Sequence, residues 1–151
     1  MNIHDLLTEQ TIFLPLETSA SKEDIIRQMA AGFKEAGVVE DTEKYVQAVL
    51  AREQSSSTGI GFGVAIPHGK SAGVVKAGLA FAKLAEPAEW QSLDEQPVSI
   101  VFMIAVPEAN VGNEHLQILV ALSRKLIHED FRNKLLHASS AEEVIDTIKN
   151  M

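Results

Sequence analysis

Apolar residues recur along this chain in two rhythms. Ile25, Ile26, Met29, Ala30 and Phe33 fall three and four apart, the spacing of one helix face. Ser21 with Asp24 three residues on offers that helix its start, and Gly37 its stop. Tyr45, Val46, Val49 and Leu50 predict a second helix from about Thr42 to Arg52, which puts Arg52 at its end. Ile12 to Leu16, Gly78 to Leu84 and Val98 to Val106 read as strands, and Val64 to Ile66 as a short extended piece stopped by Pro67. The run from Val98 to Val106 is apolar nearly throughout, as expected of a central strand covered on both faces. Asn113 precedes a helix with Leu116, Leu119, Leu122 and Leu126 inward; a short helix follows around Phe131 to Leu136, and Ser140 with Glu143 caps a last one. Strands interleaved with helices predict a single α/β domain over residues 1–151, a mixed β-sheet flanked by helices on both faces.

Composition narrows the function classes. A length of 151 residues with 46% hydrophobic and 23% charged residues suits one globular domain. The absence of cysteine excludes a disulfide staple, a thiolate nucleophile and cysteine-based metal centres. A net charge of -8 disfavours nucleic acid and anionic membranes as partners. The first residues lack the basic and apolar blocks of a leader, and the longest apolar run is too short to span a bilayer, so the expected location is cytoplasmic.

The densest unusual segment is Ser55-Ser-Ser-Thr-Gly-Ile-Gly-Phe-Gly-Val-Ala-Ile-Pro-His-Gly-Lys70. Its glycines permit close backbone approach and free amides, as an anion-binding loop needs. Gly69-Lys70-Ser71 looks like the tail of a nucleotide P-loop, but Val64 stands where the leading glycine belongs, which sets ATP binding aside. His68 lies between a rigid Pro67 and Gly69, so its ring is expected on a turn with room in front. A neutral imidazole there is a competent nucleophile, one nitrogen attacking phosphorus while a hydrogen bond fixes the other. Pro-His-Gly alone is equally compatible with a turn histidine that has no task.

This segment, with Arg52-Glu53 before it and Asn113-Glu114-His115-Leu116 after it, resembles the EIIA domain of the fructose/mannitol class in the phosphoenolpyruvate-dependent sugar phosphotransferase system. The resemblance covers essentially the full chain. It implies that His68 is phosphorylated by the histidine carrier HPr and passes the group to a cysteine of EIIB, which works with EIIC in the membrane. It implies no cofactor and no metal. Arg52 and His115 match the family's other active-site positions. An arginine offers phosphoryl oxygens a planar fork of donors, although a helix-end arginine also suits the helix dipole unaided. His115 falls in the first turn of its helix, whose positive end favours a neutral ring with one N–H to donate.

Ser57 and Thr58 are candidate hydroxyl donors to His68 or the phosphoryl group, or else turn residues bonding their own backbone. Ile60, Phe62 and Val64 are candidates for a partner-docking rim, or for core of the short strand. Some members of the family carry an acidic residue in the stretch that is Gly61-Phe62-Gly63 here, and this chain does not. A regulatory carrier of the nitrogen-related EIIA branch, which shares the Ser-Thr-Gly-Ile-Gly and Pro-His-Gly segments, is the second reading. A metal-dependent hydrolase is a third; it needs clustered ligands, and His68 and His115 form no short-spaced pair with a carboxylate.

Overall fold

The computed structural model describes residues 2–17, 21–109 and 112–151. Two short 3-10 turns, Ile3–Leu6 and Glu9–Thr11, lead into strand β1 (Ile12–Leu16) and helices α1 (Lys22–Glu35) and α2 (Thr42–Ser55). Strands β2 (Gly59–Gly61), β3 (Val64–Ala65), β4 (His68–Ser71), β5 (Gly78–Ala88) and β6 (Val98–Pro107) follow, then helices α3 (Glu114–Leu126), α4 (Glu129–His137) and α5 (Ala141–Lys149). The caps form where the sequence places them: the hydroxyls of Ser21 and Ser140 accept from the amides of Asp24 and Glu143.

The sheet runs in the order β1-β5-β6-β3-β2, with β4 also pairing with β6. It is mixed: β1 is parallel to β5, β3 and β4 are parallel to β6, and the β5–β6 and β2–β3 pairs are antiparallel. Period-2 alternation along β5 and β6 divides the core by size. Ala80, Ala82, Val101, Met103 and Ala105 face α1 and α2, and all but Met103 are small. Leu79, Phe81, Ile100, Phe102 and Ile104, all large, face α3, α4 and α5. The expected layering, helices on both faces of a mixed sheet, is the one observed.

Two expectations change. His68 does not sit on a free turn: it opens β4, paired with Ile104 of β6. A proline before it, a glycine within it and no alternation of apolar residues hide so short a strand from the sequence pattern. Leu122 and Leu126 are buried as expected and Leu119 is half-buried, but Leu116 does not point inward; it is exposed, and Ile118 takes its place on the buried face of α3.

Two contacts fix the middle of the molecule. The buried Tyr45 hydroxyl on α2 donates to the Ile104 carbonyl at 2.8 Å, beside the His68 register position. At Gly69 a Cβ would lie 2.8 Å from Val49 Cγ2 and 3.1 Å from the Val49 nitrogen, so only glycine lets α2 rest directly on β4.

Candidate functional site

His68 is held by its own backbone neighbourhood. Its Nδ1 lies 3.0 Å from the Ile66 carbonyl oxygen. A carbonyl only accepts, so Nδ1 carries the proton and Nε2 keeps its lone pair. Nε2 has no hydrogen-bond partner among the described residues. Burial is the main influence that lowers the His68 pKa; the Ile66 bond opposes it, the charges of Arg52 and His115 add to it, and Glu53 works against it. The ring is therefore neutral and nucleophilic near neutral pH.

Arg52 stands one turn before the end of α2, and its Nη1 donates to the Ser56 carbonyl at 2.8 Å and to the Ser56 hydroxyl at 3.2 Å. Those bonds occupy one nitrogen and orient the guanidinium. Arg52 and His68 line a common groove of about 250 Å³ with Thr58, Ile60, Leu119 and Ser123. The His115 ring, in the first turn of α3, has its centroid 6.5 Å from that of His68, tilted by 33°. Its Nδ1 is buried with no hydrogen-bond partner among the described residues. A proton there would be a wasted donor in a dry place, so the arrangement favours the proton on Nε2. The structure thus brings His68 and Arg52 to one groove and sets the His115 ring beside His68: a lone pair, a fixed cation and a second imidazole, a set suited to receiving a phosphoryl group.

The hydroxyls of Ser57 and Thr58 are engaged elsewhere. Ser57 Oγ donates to the Trp90 carbonyl at 2.7 Å and accepts from the Gly59 amide at 3.1 Å. Thr58 Oγ1 donates to Glu53 and accepts from the Trp90 indole nitrogen at 3.3 Å. In this state neither hydroxyl is free to donate to an incoming oxygen: Ser57 bonds backbone groups of Trp90 and Gly59, while Thr58 bonds side chains from two other segments.

The rim is partly corrected too. Val64 is fully buried, because β3 lies inside the sheet between β2 and β6 with a helical layer on each face. It is core and no part of a docking surface. Ile60 is half-buried and lines the groove. Phe62 is 51% exposed, at the tip of the β2–β3 turn. Its φ of 61° lies in the left-handed region between Gly61 and Gly63 (φ 96° and 75°), a costly place for an aromatic. Asp94 accepts from the Phe62 amide at 3.1 Å and the Arg132 guanidinium sits 4.8 Å from the ring centre, so the turn is held from two sides.

One residue escaped the sequence reading. Glu53, next to Arg52, has a side chain only 4% exposed and pairs with Lys22 at 3.1 Å. The signal was present: position 53 lies four residues after Val49 and seven after Val46, an acid on the apolar stripe of α2. Among the described residues, no three His, Cys, Asp or Glu side chains converge in a way that would hold a metal ion. Nor is any helix among them long and apolar enough to cross a membrane.

A family model described as "Phosphoenolpyruvate-dependent sugar phosphotransferase system, EIIA 2" matches residues 5–151. The chain is 45% identical over 132 residues to the PTS system fructose-specific EIIA component of Haloferax volcanii, covering 87% of this chain and 85% of that protein. It is 44% identical over 148 residues to the PTS system fructose-specific EIIABC component of Bacillus subtilis, 98% of this chain but only 23% of that longer protein. The crystal structure of Nitrogen Regulatory Protein IIA-Ntr from Neisseria meningitidis superposes with a TM-score of 0.86 at 34% identity, over 97% of this chain and 98% of that one. Enzyme IIAMTL, solved in complex with phosphorylated enzyme IIBMTL from Escherichia coli, superposes with a TM-score of 0.80 at 30% identity, over 96% and 98%.

Proposed function

The chain belongs to the EIIA 2 family of the phosphoenolpyruvate-dependent sugar phosphotransferase system, and on that premise we propose that it is a phosphoryl carrier for sugar uptake of the fructose/mannitol class, using His68 as its phosphorylated residue. Phospho-HPr is the donor, and a cysteine of EIIB, working with a membrane EIIC, is the acceptor. The observation that carries this reading is the His68 Nδ1–Ile66 bond, which leaves Nε2 as an unpartnered lone pair in the groove shared with Arg52.

The steps balance without a cofactor. Neutral Nε2 attacks phosphorus as the N–P bond of the donor phosphohistidine breaks, so one N–P bond replaces another. The ring gains a formal positive charge, which the Nδ1–H bond to the Ile66 carbonyl supports. Arg52 and the His115 N–H face the oxyanion charge of the transferring group, and positioning with charge stabilisation is most of what phosphoryl transfer requires. When an EIIB thiolate attacks, the S–P bond forms, the N–P bond breaks, and His68 leaves as neutral imidazole with Nδ1–H unmoved. Phe62 and Ile60 supply apolar contact for both partners beside the groove.

The test is incubation of the purified chain with phosphoenolpyruvate, enzyme I and HPr, followed by intact mass. One acid-labile phosphoryl group, lost in His68→Ala, is the expected result; no adduct while HPr is itself phosphorylated overturns the reading. A nitrogen-regulatory role has one observation in its favour, the TM-score of 0.86 to the Neisseria protein against 0.80 to enzyme IIAMTL. Its phosphorylation chemistry would be the same. Growth on fructose after deletion of the gene separates the two: transport predicts a defect confined to one sugar.

A further inference from the structure

We propose that Glu53 is a positioning residue that holds His68 in its productive tautomer through Thr58 and the Ile66 backbone, with Lys22 locking the carboxylate in place. Its consequence for phosphoryl transfer rests on the carrier reading; its effect on the histidine ring does not.

The chain of bonds is continuous, and each link has one possible sense. Glu53 Oε2 accepts from Lys22 Nζ at 3.1 Å and from the Thr58 amide at 3.3 Å, and Oε1 accepts from the Thr58 hydroxyl. Because Thr58 Oγ1 already accepts the Trp90 N–H, its single proton points to the carboxylate. Thr58, fixed by both its amide and its hydroxyl, presents its carbonyl to the Ile66 amide at 3.0 Å. The Ile66 carbonyl, one peptide further along, takes the proton of His68 Nδ1 at 3.0 Å. Moving Thr58 therefore moves the acceptor that decides which ring nitrogen is bare.

Stability alone is a poor reason for the pair. A carboxylate this buried loses hydration that one ammonium at the surface of α1 does not fully return, and an apolar pair would serve the core as well. Cation and indole add to the clamp, since Lys22 Nζ also lies 5.4 Å from the centre of the Trp90 ring. The network spans three segments far apart in sequence: the start of α1, the end of α2 and the Trp90 loop. All of them converge on the residue that steers Ile66. Charge completes the case, because Glu53 is the anion opposing Arg52 and His115 in the surroundings of His68.

The experiment is nitrogen-15 NMR of the His68 ring in the full chain, paired with the rate of phosphoryl acceptance from phospho-HPr. The variants are Glu53→Gln, Thr58→Val and Thr58→Ser. Wild type should show Nδ1 protonated and Nε2 bare. Glu53→Gln offers one acceptor oxygen where the carboxylate uses two, and Thr58→Val deletes the hydroxyl; both should mix the tautomers and slow acceptance by about 10²-fold, the scale of a misplaced reacting group. Thr58→Ser should restore both readouts. Folded Glu53→Gln and Thr58→Val proteins that keep the wild-type ring signature overturn the proposal, whether or not the rate falls. Should Glu53→Gln fail to fold, Thr58→Val against Thr58→Ser decides. A wild-type chain that takes no phosphoryl group overturns the carrier reading, while the ring signature still judges Glu53.

Discussion

The two walls of the groove are built to different standards. On the α2–β4 side the polar groups are tied down: Arg52 to Ser56, Thr58 to Glu53 and Trp90, His68 to Ile66. On the α3 side Leu119 and Ser123 line the groove, and around them the His115 Nδ1 is buried without a partner among the described residues, Asn113 makes no side-chain cap, and Leu116 and Val120 are exposed on an adjoining face. One wall is finished before any partner arrives. The other presents loose ends that an incoming anion and an apolar partner surface would satisfy. For the carrier proposed above, meeting two partners in turn, this division would keep the nucleophile fixed while the contacts around it change.

The comparison can be broken first at the finished wall. Arg52→Lys keeps the charge and loses the planar fork, so phosphoryl acceptance should fall by about 10²-fold or more in rapid-quench assays. A rate within a few-fold of wild type would reduce Arg52 to a general field. The open wall should respond differently. Leu116→Asp puts a charge on an exposed apolar side chain of α3, outside the residues proposed to react. The concentration of phospho-HPr or EIIB giving half-maximal transfer should rise about tenfold, with the saturated rate kept. Equal losses in both parameters would mean that α3 takes part in the transfer step.

The smallest effect is titration. His68 has its folded pKa below the ordinary 6.5, chiefly through burial. The folded state therefore binds its proton later than the unfolded chain as pH falls. Stability from the neutral ring is fully present above about 6.5 and is lost as pH falls through the folded pKa. In an NMR titration the His68 midpoint should lie under 6.5, and His68→Ala should flatten part of the acid limb of the stability curve. A midpoint at or above 6.5 would place the ring in a wetter or more acidic setting than the structure shows.

Much of this was legible in the sequence, and the exceptions share a cause. Helix faces that repeat over several turns, such as Ile25 to Phe33, and the uniformly apolar β6 declare themselves, because burial acts on every position of the period. His68, Arg52 and His115, proposed here as nucleophile and companions, were singled out by a dense motif. Strand β4 was not, because its pairing partner Ile104 lies far along the chain and its own residues, His-Gly-Lys-Ser, carry no apolar alternation. Val64 and Leu116 went the wrong way for a related reason: which face a residue takes depends on the layer that covers it. Glu53 needed two distant segments, Lys22 and Trp90, before its burial made sense.

The contact at Gly69 has a mechanical meaning. His68 precedes it by one residue on the strand, and Arg52 follows Val49 by three on the helix, so nucleophile and cation are both measured from a single backbone joint. Part of that joint is the Val49 nitrogen, 3.1 Å from where a Cβ would lie, and a backbone atom cannot turn aside as a side chain can. A methyl group at residue 69 would act as a wedge, prising the charge from the ring it serves while leaving every group that does chemistry unaltered.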